Sequence, residues 1–116
     1  MILLKKAYRV KKNSEFQEIL RTGRSFANRE LVIYFKRKST DQDHFRIGIS
    51  VGKKIGNAVT RNRIKRIIRE AFLQLEEDIV PNVDIIIIAR KPTVHMNSTQ
   101  VKRSISHLLK KQRLFK

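Results

Sequence analysis

Residues 53–70, KKIGNAVTRNRIKRIIRE, carry two opposed surfaces on one short stretch, and a helix is what keeps them apart. Ile64, Ile67, Ile68, Ala71, Phe72 and Leu75 recur at i, i+3, i+4, i+7, i+8 and i+11, the period of an amphipathic helix. At about 100° per residue, Arg61, Asn62, Lys65, Arg66 and Arg69 fall in one arc of roughly 140° beside that stripe. One face is therefore built for a core and its neighbour for a polyanion. Lys53, Lys54, Arg61, Arg63, Lys65, Arg66 and Arg69 all precede the first acid, Glu70. Gly56 breaks the chain before the helix, and Asn57 is its candidate N-cap. Arg61, Lys65 and Arg69 repel one another at i, i+4 spacing, each pair opposing the helix by roughly a few tenths of a kcal/mol. Solubility does not need that alignment. A phosphate backbone rewards it, because every neutralised phosphate releases counterions.

The rest of the chain leans the same way. Its 116 residues suffice for one domain with a modest two-layer core, and 27 Lys and Arg against 10 Asp and Glu give a net charge of +17. A charge of that size is a long-range field favouring nucleic acid or an anionic membrane. Cysteine is absent, which excludes disulfides, Cys-zinc sites and a thiol nucleophile. MILLKK holds too few apolar residues for a signal peptide, and the apolar run at 85–89 is far short of a membrane span. The expectation is a cytoplasmic protein with a single domain over 1–116.

Residues 1–12 read as an extended basic arm, equally compatible with a solvated terminus and with a nucleic-acid contact. Ser14 and Gln17 have the capping-box form, and Phe16, Ile19 and Leu20 follow in helical spacing, so a helix is expected over 14–22 with Gly23 ending it. Residues 30–38 alternate, as do Phe45, Ile47, Ile49 and Val51, and the polar 39–43 between them predicts a hairpin. On the second strand Gly48 and Ser50 leave an open floor with Tyr34 beside it. An aromatic, a floor and a basic rim suit a single strand whose bases stack while its phosphates meet cations. The same floor could instead seat the first helix.

VDIIIIA at 83–89 is apolar on both faces, which predicts a central strand. Ser98 or Thr99 opens a last helix carrying Val101, Ile105, Leu108 and Leu109 in period, and a further strand is possible around 24–30. The fold class is α+β: a two-layer α-β sandwich with a small central sheet, an N-terminal helix, the long basic helix and a C-terminal helix, the helices mainly on one side.

Little in the chain can do covalent chemistry. His44, His95 and His107 have no spacing for a shared metal, and no hydrolase, metalloprotease or nucleotide-binding fingerprint occurs. Glu76, Glu77 and Asp78 are consecutive and diverge on a helix. Two-metal phosphodiester hydrolysis needs several convergent carboxylates. The chain reads as a binder, with no catalytic residue and no metal site of its own.

The pattern K-K-I-G-N-A-V-x-R-N-x-x-K-R-x-x-R-E at 53–70 resembles the signature of the bacterial ribonuclease P protein subunit. FRIGISVGKK before it, the KKNSEF and SFANRE segments and VDIIIIARKP after it extend the resemblance over nearly the whole chain. The resemblance implies a small subunit that assists a catalytic RNA in removing the 5′ leader of precursor tRNA. The RNA would hold the Mg²⁺ and perform the hydrolysis. It also implies a ribosomal protein S5 domain 2-like sandwich with a left-handed βαβ crossover, against the usual hand. By the same resemblance Lys53, Lys54, Arg61, Asn62, Arg63, Lys65, Arg66 and Arg69 face the catalytic RNA. Phe16, Leu20 and Tyr34 line the cleft for the single-stranded leader, and Ser50, from the floor read above, is placed with them. Leu20 stands where the family often has an aromatic. The family's metal-binding loop has no clear mark in this sequence.

Size, charge and the lack of catalytic groups also fit a structural RNA-binding protein, ribosomal or chaperone in type. A DNA-binding helix-turn-helix is disfavoured because the basic helix lacks a short partner helix before it. Membrane-surface binding is disfavoured because the apolar stripe is needed for the core.

Overall fold

The computed structural model describes residues 8–38 and 44–116. The turn expected at 39–43 and the start of the basic arm lie outside the described residues. Three helices and four strands follow in the order α1 (Asn13–Thr22), β1 (Arg24–Ala27), β2 (Leu31–Arg37), β3 (Arg46–Ser50), α2 (Ala58–Leu75), β4 (Val83–Ala89) and α3 (Ser98–Lys111).

The sheet order is β1-β2-β4-β3, with β4 antiparallel to β2 and parallel to β3. The expected hairpin between β2 and β3 does not form, because β4 lies between them. The reason is in β4 itself. Ile85, Ile86 and Ile87 are completely buried, so the strand is stable only where neighbours flank it and layers cover both its faces. The hairpin is made one element earlier, β1 on β2, with Ser25 opposite Tyr34 and Ala27 opposite Val32.

The main core fills the space between one sheet face and the α2–α3 pair. Leu31, Ile33, Phe35, Ile47, Ile85 and Ile87 meet Ile64, Ile68, Phe72, Ile105 and Leu108, all buried. The smaller α1 covers part of the opposite face, and its Phe16 ring lies over Gly48 beside Ile86. A Cβ on Gly48 would come within 2.7 Å of that ring.

One helix start departs from expectation. α1 begins at Asn13 with Lys12 at its N-cap and no side-chain cap, so the Ser14–Gln17 box is not used. Tertiary contacts fix the entry instead: the Val10 N–H donates to the Ile47 carbonyl (2.8 Å), and Glu15 is held by Arg46. α3 begins at Ser98, the earlier of the two expected openings, and is capped by Asn97 in a reciprocal box with Gln100. α2 starts as expected, with Asn57 Oδ1 accepting the Thr60 N–H at 2.9 Å. Gly23 ends α1 in extended backbone, and its need for glycine is one of close approach, since a Cβ would sit 2.5 Å from the Ile19 carbonyl oxygen.

The C-terminus returns to the body. Ile79 bridges Phe115, and the Val80 N–H donates to Leu114 (2.9 Å).

Candidate nucleic-acid interface

Helical spacing sorts the basic residues of α2 into groups with different surroundings. Asn62 and Arg66 are exposed, while Arg61, Lys65 and Arg69 are half-buried along the border with the sheet. Lys65 and Arg69 line a hollow of about 180 Å³ at the β3 edge, together with Arg9, Val10, Phe16 and the 47–49 backbone. The basic face of α2 and the Phe16 end of α1 thus meet at one place. Arg9 belongs to that meeting point. Its segment reads as loose in the sequence, but it is pinned as a short parallel bridge on Ile47. The sequence holds no signal for this beyond the alternation of Tyr8 and Val10.

The hollow is electrostatically unfinished. Burial, and then the positive charge of Arg9, push the Arg69 guanidinium below its ordinary pKa. Arg9 and Arg61 each keep a buried Nε–H without a hydrogen-bond partner among the described residues. A buried cationic donor without a partner is unfavourable, and an anion in the hollow would relieve Arg9 and Arg69, both of which line it.

Arg63 behaves differently from its neighbours. It lies off the arc and donates through Nη2 to the Met96 carbonyl at 3.0 Å, tying α2 to the segment before α3. Lys53 and Lys54 lie outside α2, on the single 3₁₀ turn Lys53–Ile55, exposed. Lys54 shares a hollow of about 490 Å³ with Lys91 and His95. Val59, near the start of α2, is 79% exposed, an apolar spot beside the basic arc that falls outside the core period.

Strand register places the cleft residues on the sheet face that α1 half covers. Ser25, Tyr34, Ile86 and Gly48 form one row across the sheet, and Ala27, Val32, Ile88 and Ser50 the next. Tyr34 and Ser50 therefore share a face, but β4 separates them, and Tyr34 is not beside the Gly48 floor as the hairpin would have it. Nor is that floor open: Phe16 occupies the space above Gly48. Half-buried Val32, Ile88 and Ser50 carry the uncovered part, and Leu20 is half-buried on α1.

A charged row closes the far end of this face. Arg46 donates to Asp84 through Nε (3.0 Å) and Nη2 (2.7 Å), and Nη2 also reaches Glu15 (2.7 Å). Lys38 adds a contact to Asp84 at 3.1 Å, and Lys36 pairs with Glu18 on α1. Asp84 is wholly buried. Burial pushes its carboxyl up, but the hydrogen bonds and charges of Arg46 and Lys38 outweigh that and hold it below the usual value. The Asp84 bond in turn holds the Arg46 guanidinium above its ordinary value. Sequence reading missed this cluster because Asp84 sits inside an otherwise apolar strand.

Among the described residues, no three His, Asp or Glu side chains converge in a way that could hold a metal ion. No described helix is long and apolar enough to cross a membrane.

Known proteins share both sequence and shape with this chain. The Ribonuclease P family pattern matches residues 4–113. A ribonuclease P protein component of Oceanobacillus iheyensis is 61% identical over 113 residues, covering 97% of this chain and 93% of its own. The Staphylococcus aureus RNase P protein structure superposes with a TM-score of 0.85 at 50% identity, over 96% of this chain and 100% of its own. That of Thermotoga maritima gives 0.80 at 31% identity, over 89% and 96%. Matched along almost its whole length by relatives of this identity and by their folds, the chain belongs to the ribonuclease P protein family.

Proposed function

We propose that the chain is the protein subunit of a ribonuclease P ribonucleoprotein and assists removal of the 5′ leader from precursor tRNA. Lys53, Lys54, Arg61, Asn62, Lys65, Arg66 and Arg69 meet the catalytic RNA, with Arg63 offering its remaining donors from the far side of α2. The leader runs over the sheet face beside α1, past Phe16, Leu20, Tyr34 and Ser50. The observation that carries this reading is the hollow at the β3 edge, where Lys65 and Arg69 of α2 converge with Phe16 of α1. It makes one continuous path from a phosphate-binding helix to an aromatic over the sheet.

The chemistry of hydrolysis belongs to the RNA, which also holds the Mg²⁺. Three of the protein's ten acids are engaged elsewhere, Glu15, Glu18 and Asp84 in ion pairs with Arg46, Lys36 and Lys38. What the chain contributes is charge and selectivity. A net charge of +17 lowers the repulsion between two polyanions, and the leader contact favours precursor over mature tRNA.

Cleavage of a leader-bearing precursor tRNA at low Mg²⁺ by bacterial ribonuclease P RNA, with and without the protein, tests the assignment. The protein should restore correct cleavage and be inert alone. Cleavage by the protein alone would place an active site in this chain. Equal binding of every RNA with no rescue would make it a structural RNA binder. Within the working complex, Arg61→Ala with Arg66→Ala should weaken assembly and flatten its salt dependence. An unchanged slope in that folded variant counts against the α2 face. Tyr34→Ala should cost about 1 kcal/mol in affinity for leader-bearing tRNA and spare mature tRNA. Equal losses for both would remove Tyr34 from the leader path.

A further inference from the structure

The ion pairs among the described residues all lie under or beside α1: Lys36–Glu18, Lys38–Asp84, Arg46–Glu15 and Arg46–Asp84. None reaches the opposite edge of the sheet, where β1 borders α3. There Arg24, Arg29, Arg103, Lys110 and Arg113 are exposed without a salt-bridge partner. Arg103, His107 and Lys110 stand at i, i+4 and i+7, a single stripe along α3. The β1–β2 turn is fastened to this helix by Asn28, whose Nδ2 donates to Ser104 Oγ at 2.8 Å, so the two sets of cations are held in fixed relation.

Two hollows lie along this edge. One, of about 670 Å³, is lined by Arg29, Arg103 and His107 with Met96 and Pro92, and Glu30 is its single acid. The other, of about 430 Å³, is lined by Arg24, Arg37 and Arg113 and has no acid. From Arg103 to Lys111 the helix rise spans about 12 Å, a length over which an RNA duplex presents several phosphates.

The backbone at Arg113 is a second, independent observation. α3 ends in a Schellman motif: the Leu114 N–H donates to the Leu109 carbonyl at 2.9 Å and the Arg113 N–H to the Lys110 carbonyl at 3.1 Å. The motif puts Arg113 at φ 58°, in the left-handed region where glycine is the unstrained choice. Among the described residues it is the one non-glycine with positive φ. The sequence accepts strain here and obtains a cation at the mouth of an acid-free hollow.

We propose that the β1–α3 edge is a further RNA-backbone site, additional to the α2 face and the leader path, so that one chain can hold an RNA duplex at each of two faces. It shares with the proposed function only the premise that the partner is RNA. The sheet separates the two sites, with β3 and the α2 hollow at one border and β1 at the other.

The test is a titration with one short RNA duplex, its stoichiometry read by sedimentation. Four proteins are compared: the unaltered chain, an edge variant (Arg24→Gln, Arg29→Gln, Arg103→Gln), an α2 variant (Arg61→Ala, Arg66→Ala) and their combination. The unaltered chain should hold two duplexes, each single-face variant one and the combination none. An edge variant that still holds two overturns the proposal while leaving the α2 reading intact. An α2 variant that still holds two, beside an edge variant that holds one, overturns the α2 reading and leaves the edge site standing. Arg113→Gly, made in the α2 variant, gives a readout that a purely structural role would not. Relief of strain should raise Tm by about 2–6 °C, while loss of the cation should weaken duplex binding about fivefold. A gain in Tm with unchanged binding removes Arg113 from the site.

Discussion

Asp84 is one residue on which packing and charge depend together. It stands fully buried in the central strand and receives Arg46 and Lys38, and through Arg46 it is coupled to Glu15 on α1. Removing the charge strands two cations at a buried site, so Asp84→Asn should cost about 3 kcal/mol in urea unfolding. The pH dependence follows from the same contacts. The carboxyl titrates below its ordinary 3.8 in the folded chain, so its stabilisation is complete above that value. As pH falls through the folded value the stabilisation is lost. The unaltered protein should therefore weaken on acidification below about pH 4, and Asp84→Asn should show a shallower loss over that range. An identical acid limb in both proteins would show that Asp84 does not govern it. Of the site residues, Lys65, Arg69 and Phe16 were legible in the sequence as members of two separate features. That they share one hollow with Arg9 was not, because their meeting depends on how α1 crosses β3.

At the scale of elements, the sequence carried α2 almost whole. Its apolar period, its basic arc and the Asn57 cap all appear where the spacing puts them, because each is set by residues within a few turns. Asn57→Ala should cost about 1 kcal/mol, measurable as a lower urea midpoint with unchanged slope. A changed slope would mean that more than the cap had been altered. Strand pairing was less legible. The alternation of β2 and β3 around a short polar loop is a local signal, and it was overridden by the demand of β4 for cover on both sides. Ile86 and Ile87 point to opposite faces and are both fully buried, which an edge position cannot provide. The unused capping box of α1 has a related origin. Where tertiary contacts such as Val10 on Ile47 fix the entry of a helix, the best local cap need not be used.

The whole molecule is a polyelectrolyte that folds in spite of its own charge. Unpaired cations gather at both borders of the sheet, and the ion pairs among the described residues are spent on seating α1. Added salt should consequently act with opposite signs on its two equilibria. Screening relieves self-repulsion in the free protein, so its Tm should rise with NaCl, while affinity for RNA falls log-linearly. Calorimetry and binding over one salt series would check both, and a Tm that falls with salt would show that the few ion pairs outweigh the repulsion. The place of β4 has a further consequence, in time. Both of its partners precede it along the chain, and its residues 83–89 join them only after α2 has been made. During synthesis β2 leaves the ribosome with only β1 beside it and β3 with only the Arg9 bridge, both already positively charged and close to ribosomal RNA. Sheet closure waits for the last third of the chain, and the Ile79–Phe115 bridge waits for its end. The nascent protein is therefore exposed to the wrong polyanion for most of its synthesis, and it acquires the shape that selects the right one only as translation finishes.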